Sequence, residues 1–406
     1  MNISIIIPSR NNLKYLKQAY ESIREYRWSA EIVFLDDAST DATWEWLQVI
    51  RTRDPNVKLY RNEGPERVGH TVLYDKGVEL CSNQVFGIFH ADMVMSESYI
   101  TNMLKHLKPG VVVSGTRIEP PLHPPGPEKI VLDLGIEPET FDKKAFKEAV
   151  VKYGEEFKDQ TTEGIFAPWI MYKEDFVKIG GHDKLFAPME LEDSDIFNRM
   201  LLAGYKLIQS RDAFVYHMTC RGSRFKDGVE NVQKIDLGGG VIWNKPKDSE
   251  EYTLLRQKKF REWFRKWRTE VLHDQNLLPI VAPRYETAFV IPNCDQGLIK
   301  LLEPWCDEMW VDCPFEEYLV KEQPNTMFDL SLKFHSIDSG LPHTAVVILF
   351  DGTSFTPRHY EDFIMHIPFV VQQTGEVGVF NWDRFLITVN SLKEKDMIQP
   401  WFRNVF

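Results

Sequence analysis

Along the first 118 residues, short apolar runs alternate with stretches in which apolar residues recur every three or four positions. ISIIIP, AEIVFLDD, VKLYRN, VFGIFHAD and GVVVSGTRI are continuous enough to be strands buried on both faces. LKYLKQAYESIREY, ATWEWLQVIRT, TVLYDKGVELC and SYITNMLKHLK carry the helical period between them. This alternation predicts an α/β domain built on a mostly parallel, Rossmann-like sheet with helices on both faces. In such sheets ligands bind beyond the carboxyl ends of the strands. Pro8 to Asn11, Asp36 to Asp41 and His90 to Asp92 are therefore expected to converge at one edge.

The pattern breaks at the Pro-rich stretch EPPLHPPGPEK, a candidate lid or acceptor loop, and resumes as an amphipathic helix in FDKKAFKEAVVKYGEEF. MELEDSDIFNRMLLAGYKLI reads as a helix entered through carboxylates and closed at Gly204, and AFVYHMTCRGSRFKDG as a strand ending in His217 and running into a Gly/Arg loop. The first domain is expected to span residues 1–240. Residues 241–284 read as a linker with a long helix, SEEYTLLRQKKFREWFRKWRTEVLH, whose Trp263, Phe264 and Trp267 alternate with Arg and Lys. Such a helix suits peripheral contact with an anionic membrane. The commoner use of an aromatic stripe is packing, here on the first domain with the charges facing water. TAFVIP, EMWVD and AVVILFDG predict a second, smaller α/β domain over 285–406.

With 406 residues, 43% of them hydrophobic, the chain can bury large cores. Its formal charge of −12 opposes nucleic-acid binding, which needs a surplus of cations on the docking face. Five cysteines without CxxC spacing argue against a disulfide framework or structural zinc, and no apolar run reaches membrane-span length. A soluble, cytoplasmic protein is expected.

Four groups of residues can carry chemistry. Asp36 and Asp37 close a strand, where carboxylates can accept from a base imide or ribose hydroxyls, whereas Ser39, Thr40 and Asp41 suit capping of the next helix. Asp92 closes VFGIF, where it could hold a hard divalent cation together with a diphosphate. His217 ends another strand, and one imidazole, one carboxylate and phosphate oxygens suit Mn²⁺ or Mg²⁺ better than zinc, while His90 alone reads most simply as a hydrogen-bonded structural residue. Glu192, Asp193 and Asp195 exceed what a helix N-terminus needs, and a carboxylate kept ionised there could act as a general base. Arg221, Arg224 and Lys226 follow His217 and could close over a leaving diphosphate.

Taken in order, IIIPSRNN, LDDASTDAT, FHADMV, IGGHDKLF, LEDSDIFNRMLLAGYKL and VYH resemble glycosyltransferase family two, the inverting nucleotide-sugar enzymes of the GT-A fold, over roughly residues 1 to 225. The resemblance implies that Pro8, Ser9, Arg10, Asp36 and Asp37 border the nucleoside and that Asp92, the last residue of an Asp-x-Asp motif, holds metal and diphosphate. It further implies that His217 completes the metal site, that Asp193 is the catalytic base, and that Trp169 lies in the acceptor-side segment. His90 departs from that pattern by replacing the first Asp of the motif, Arg10 stands where Tyr is commoner, and Asp75 where Asn is usual. The implied activity is metal-dependent, inverting hexosyl transfer from a nucleotide sugar, with uridine diphosphate favoured as carrier and a glycan, lipid-linked sugar or protein as acceptor. The alternatives are a non-catalytic sugar- or partner-binding protein on the same fold and a sugar nucleotidyltransferase. The latter is opposed by PSRNN, which lacks a Gly-rich triphosphate loop.

Overall fold

The computed structural model describes residues 2–26, 29–220, 232–236 and 242–404. The chain forms two compact units, one comprising Met1–Thr253, His273–Pro279 and Ile398–Phe406, the other Leu254–Leu272 and Ile280–Met397.

In the first unit, β1 (Ile3–Ser9), α1 (Leu13–Glu25), β2 (Glu31–Asp37), α2 (Thr43–Arg53), β3 (Val57–Asn62), α3 (His70–Leu80) and β4 (Val85–Ile88) follow one another as the pattern predicts. Then come β5 (Met93–Met95), α4 (Tyr99–His106), β6 (Val111–Glu119), β7 (Lys129–Val131), α5 (Lys143–Glu156) and β8 (Thr161–Glu163). The series closes with β9 (Trp169–Tyr172), α6 (Lys173–Lys178), α7 (Glu192–Leu202) and the long β10 (Lys206–His217). One sheet runs β3-β2-β1-β4-β9-β6-β10-β5, with β7 beside β6 and β8 beside β10. β9, β5 and β8 run against their neighbours and the other pairs are parallel.

Both faces of this sheet are covered, as the continuous apolar strands require. Ile3, Ile5 and Ile7 of β1 pack with Leu16 and Ile23 of α1 and Met103 of α4. Ile6 points the other way, to a core with Leu73 of α3, Phe176 of α6 and Met200 of α7. Gly77 of α3 is required by this packing, because a Cβ there would stand 2.4 Å from the Ile6 side chain.

Two local readings change. The stretch VFGIFHAD is not one strand: it stops at Ile88, and β5 crosses to the far edge to pair with β10. Ser39 and Thr40 do not cap α2; the Ser39 hydroxyl accepts from the Asn11 backbone N–H, and the Asn11 side chain accepts from the Thr40 N–H, so the loops after β1 and β2 hold each other.

The expected linker is also reassigned. After the hairpin of β11 (Val232–Asp236) and β12 (Ile242–Pro246), α8 (Glu250–Trp267) joins the second unit from Leu254 onward. Trp263 and Trp267 are buried, and Phe264 packs against the second unit's core, stacked on Trp305 at 4.4 Å. Among the described residues, no helix is long and apolar enough to cross a membrane.

The second unit contains β13 (Thr287–Ile291), α9 (Gln296–Leu302), β14 (Glu308–Val311), α10 (Glu316–Glu322), β15 (Phe334–Ser336) and β16 (Val346–Leu349). α11 (Pro357–Asp362), α12 (Ile367–Thr374), β17 (Gly378–Trp382) and β18 (Phe385–Val389) complete it. Its six-stranded sheet runs β15-β14-β13-β16-β18-β17. Inside lies a buried ionic knot. Glu303 accepts from Lys333 at 2.7 Å, from Arg265 at 2.7 Å and from the Tyr318 hydroxyl at 2.9 Å. Burial works to raise the Glu303 pKa, but the cations outweigh it and hold the carboxyl far below the usual range. The last charges of α8, Glu262, Arg265 and Lys266, are buried, whereas Glu250, Glu251, Arg256 and Lys258 are exposed.

The chain's end is reassigned too, since Ile398 onward leaves the second unit. The Asp183 carboxylate accepts from the N–H groups of Trp401 and Phe402 at 2.7 and 3.1 Å. Asn404 Nδ2 donates to Asp75 at 2.8 Å.

Glu303→Ala should cost about 3–5 kcal/mol, because it leaves Lys333 and Arg265 buried without their anion. Urea unfolding followed by tryptophan fluorescence measures this, and an unshifted midpoint would show that the knot does not hold the second unit together.

Candidate active site

At the carboxyl edge of the first unit's sheet lies a cavity of about 530 Å³, the size of a small-molecule site. The ends of β1 and β2 supply Pro8, Ser9, Arg10 and Asp37 to its lining. Asp37 accepts from the N–H groups of Val68 and Gly69, both at 2.9 Å, and so fixes the turn that leads into α3. Gly69 is needed there: its φ is +79°, and a Cβ would stand 1.9 Å from the Pro188 carbonyl oxygen. Arg10 is tied back by donating to the carbonyls of Asp37 and Ala38. Asp36, expected beside the nucleoside, points away from the cavity. It is fully buried, its carboxylate 3.4 Å from Arg61 Nε, and burial raises its pKa.

His90, Asp92 and His217 come together in the same cavity. The pairing of β5 with β10 sets His217 against Met93, and the Met218 N–H donates to the Asp92 carbonyl at 3.0 Å. One ligating atom from each of the three residues lies within 4.8 Å of the others. His217 Nε2 is 3.3 Å from Asp92, and its Nδ1 is 2.7 Å from Glu119 at the end of β6. Burial opposes a charge on His217, but the two carboxylates outweigh it and lift the imidazole to about 9. Burial likewise works to raise the Asp92 carboxyl, and His217 holds it below the ordinary value. Burial and the charge on His217 push His90 down to about 3, which leaves a neutral ring with a lone pair to offer. Two imidazoles and a carboxylate, with a further carboxylate orienting one ring, fit a divalent cation.

The acidic start of α7 resolves into different roles. Asp195 is fully buried, bonded to Arg199 at 2.8 Å, and does not line the cavity. Glu192 is raised to about 8 by burial and by repulsion from Asp193. Burial also raises Asp193, with His182 and Arg117 acting in the opposite direction. Asp193 does not line the cavity, yet it is within electrostatic reach of Tyr74, which does. Trp169 sits inside the sheet at 0% exposure, packed against Phe86 and Phe197, and cannot meet an acceptor. Arg221, Arg224 and Lys226 lie outside the described residues.

Sequence reasoning missed Arg67, His70, Met189 and Cys220, which also line the cavity. His123 does so from the Pro-rich segment, with Nε2 3.5 Å from Cys220 Sγ. It missed Glu119 as well, although a carboxylate ending an apolar strand is the signal already read at Asp92.

The strand ends, the turn into α3 and the β4–β5 junction that build this cavity come largely from the first third of the chain. Residues 4–136 match glycosyl transferase family 2. This family-2 segment holds Pro8, Ser9, Asp37, His90, Asp92 and Glu119, while Asp193 and His217 lie beyond it. A dolichol-phosphate mannosyltransferase of Pyrococcus furiosus is 30% identical over 112 residues, 27% of this chain and 31% of that protein. The chain thus spans about a third of that relative's length. Among solved structures, the chain is similar to a mannosyltransferase from Pyrobaculum calidifontis in complex with GDP-Man and Mn²⁺ (17% identity, 64% of this chain and 62% of the other, TM-score 0.40). It is also similar to GalNAc-T7 with UDP, GalNAc and Mn²⁺ (15% identity, 53% and 44%, TM-score 0.42).

Because Glu192 binds its proton more tightly folded than unfolded, its contribution to stability is present at low pH and is lost as pH rises toward 8. Glu192→Gln should therefore melt higher than the wild type at pH 9, by about 2–4 °C per kcal/mol recovered, with a smaller difference at pH 5. Calorimetric melting at the two pH values checks this, and an equal difference at both would remove the assignment.

Proposed function

We propose that the protein transfers a sugar from a nucleoside-diphosphate sugar to an acceptor hydroxyl with inversion at the anomeric carbon, as a divalent-metal-dependent glycosyltransferase of hexosyl type. The observation that carries this reading is the meeting of His90, Asp92 and His217 in a cavity lined by the strand-end residues of the family-2 segment. The relatives' bound GDP-Man and UDP support a nucleotide-sugar donor, and uridine diphosphate is the first carrier to test.

In this reading Pro8, Ser9, Arg10 and Asp37 border the nucleoside. Asp92 and His217 would hold a divalent ion such as Mn²⁺ or Mg²⁺, which when bound neutralises the charge developing on the leaving diphosphate. Asp193 takes the proton of the acceptor hydroxyl as its oxygen bonds to the anomeric carbon and the bond to the diphosphate breaks. Burial and the neighbouring Asp193 hold the proton of Glu192 to about 8, while His182 and Arg117 act against the rise of Asp193, which makes Asp193 the better base of the pair.

Calorimetric titration of uridine and guanosine diphosphates, with and without Mn²⁺, should give metal-dependent binding in the wild type and none in Asp92→Ala. Asp193→Asn should keep that binding and lose about 10²- to 10⁴-fold in transfer. Binding of neither nucleotide would favour the non-catalytic binding protein, and undiminished transfer by Asp193→Asn would remove the base.

A further inference from the structure

The donor atoms at the proposed metal centre differ in kind from what one imidazole and one carboxylate would supply. The fold brings His90 into the group, so the protein offers two ring nitrogens and a single carboxylate. The two rings meet edge to face with centroids 5.5 Å apart. Glu119 adds no fourth ligand. Its carboxylate is engaged by His217 Nδ1 at 2.7 Å, Lys129 at 2.9 Å and Arg117 at 3.2 Å. Glu119 instead accepts a hydrogen bond from Nδ1–H, so that Nε2 of His217, on giving up its proton, is the nitrogen offered to a metal, the arrangement of a carboxylate that orients a ligating histidine.

Mg²⁺ is a hard ion that seeks a near-octahedral set of oxygens and gives up water reluctantly. Imidazole nitrogen suits the later first-row ions, and two histidines with one carboxylate leave positions open for water or diphosphate oxygens. We propose that this centre selects a nitrogen-seeking divalent cation of the cobalt, nickel and zinc class over Mg²⁺, with His90 as the residue that sets the preference and Glu119 as a positioning residue for His217. This inference rests on the proposed donor site, and it reverses the metal order expected from Asp92 and His217 alone.

The test uses the full chain stripped with chelator. Co²⁺ is titrated while visible d–d absorption and heat are recorded, and Mg²⁺ is then added as competitor. The wild type should bind one Co²⁺ whose displacement needs at least about tenfold more Mg²⁺. His90→Asp should narrow that gap by gaining Mg²⁺ affinity, a gain that a poorly folded variant cannot show. Glu119→Gln should weaken Co²⁺ binding by about 10- to 100-fold without changing the ligating atoms. Equal affinity of the wild type for Co²⁺ and Mg²⁺, or an unchanged ratio in His90→Asp, would overturn the selectivity. Metal-dependent nucleotide binding retained in those samples would leave the donor-site reading standing. Co²⁺ binding undiminished in a His90→Ala, His217→Ala double variant would place the ion on other residues and overturn the centre itself.

Discussion

The antiparallel pairing of β5 with β10 is the contact on which the site depends. Three residue pairs, from Val215↔Met95 to His217↔Met93, bring a loop after the fourth strand against the end of the tenth. His217 is thereby buried beside a half-buried Asp92, and each compensates the desolvation of the other. Glu119 extends the same compensation from β6, and Arg117 and Lys129 balance Glu119 in turn. The site's charges are thus paired with one another within the fold itself.

At the start of α7, whose carboxylates are not among the cavity's lining residues, burial does different work. The start of α7 sets two adjacent carboxylates in a poorly solvated place, where both pKa values rise and Glu192 keeps its proton to about 8. Asp75 and His182 sit nearby, bonded at 2.7 Å, and Asn404 from the end of the chain donates to the same Asp75 carboxylate. Gly181 permits this approach, since its φ is +71° and a Cβ would stand 2.6 Å from Asp75. Arg199 donates to the carbonyls of Ile179 and Gly181, which locks α7 to that loop.

The second unit shows why residue composition misleads about exposure. A helix rich in Arg, Lys and Trp looks like a surface element, yet Arg265 is 1% exposed and Glu303 0%. The guanidinium forms paired bonds to Glu303, which a lysine could not reproduce.

The alternation of apolar runs and helical periods determined the order of elements through β4, then α4 and β6 without the short β5, the two covered faces and the gathering of strand ends at one edge, because local periodicity reports which sides of an element are buried. It also pointed to Pro8, Asp37 and Asp92, since strand ends are positions along the chain. It could not give orientation or partnership. Asp36 and Asp37 are neighbours in sequence, and only the pleat decides that Asp37 lines the cavity while Asp36 is buried against Arg61. Trp169 entered the core and Asp195 took an arginine because their surroundings come from distant segments. His90 gained its place beside Asp92 and His217, and Glu119 its hold on His217, only when β10 folded back beside β5, for contacts between residues far apart in the chain are set by the tertiary structure.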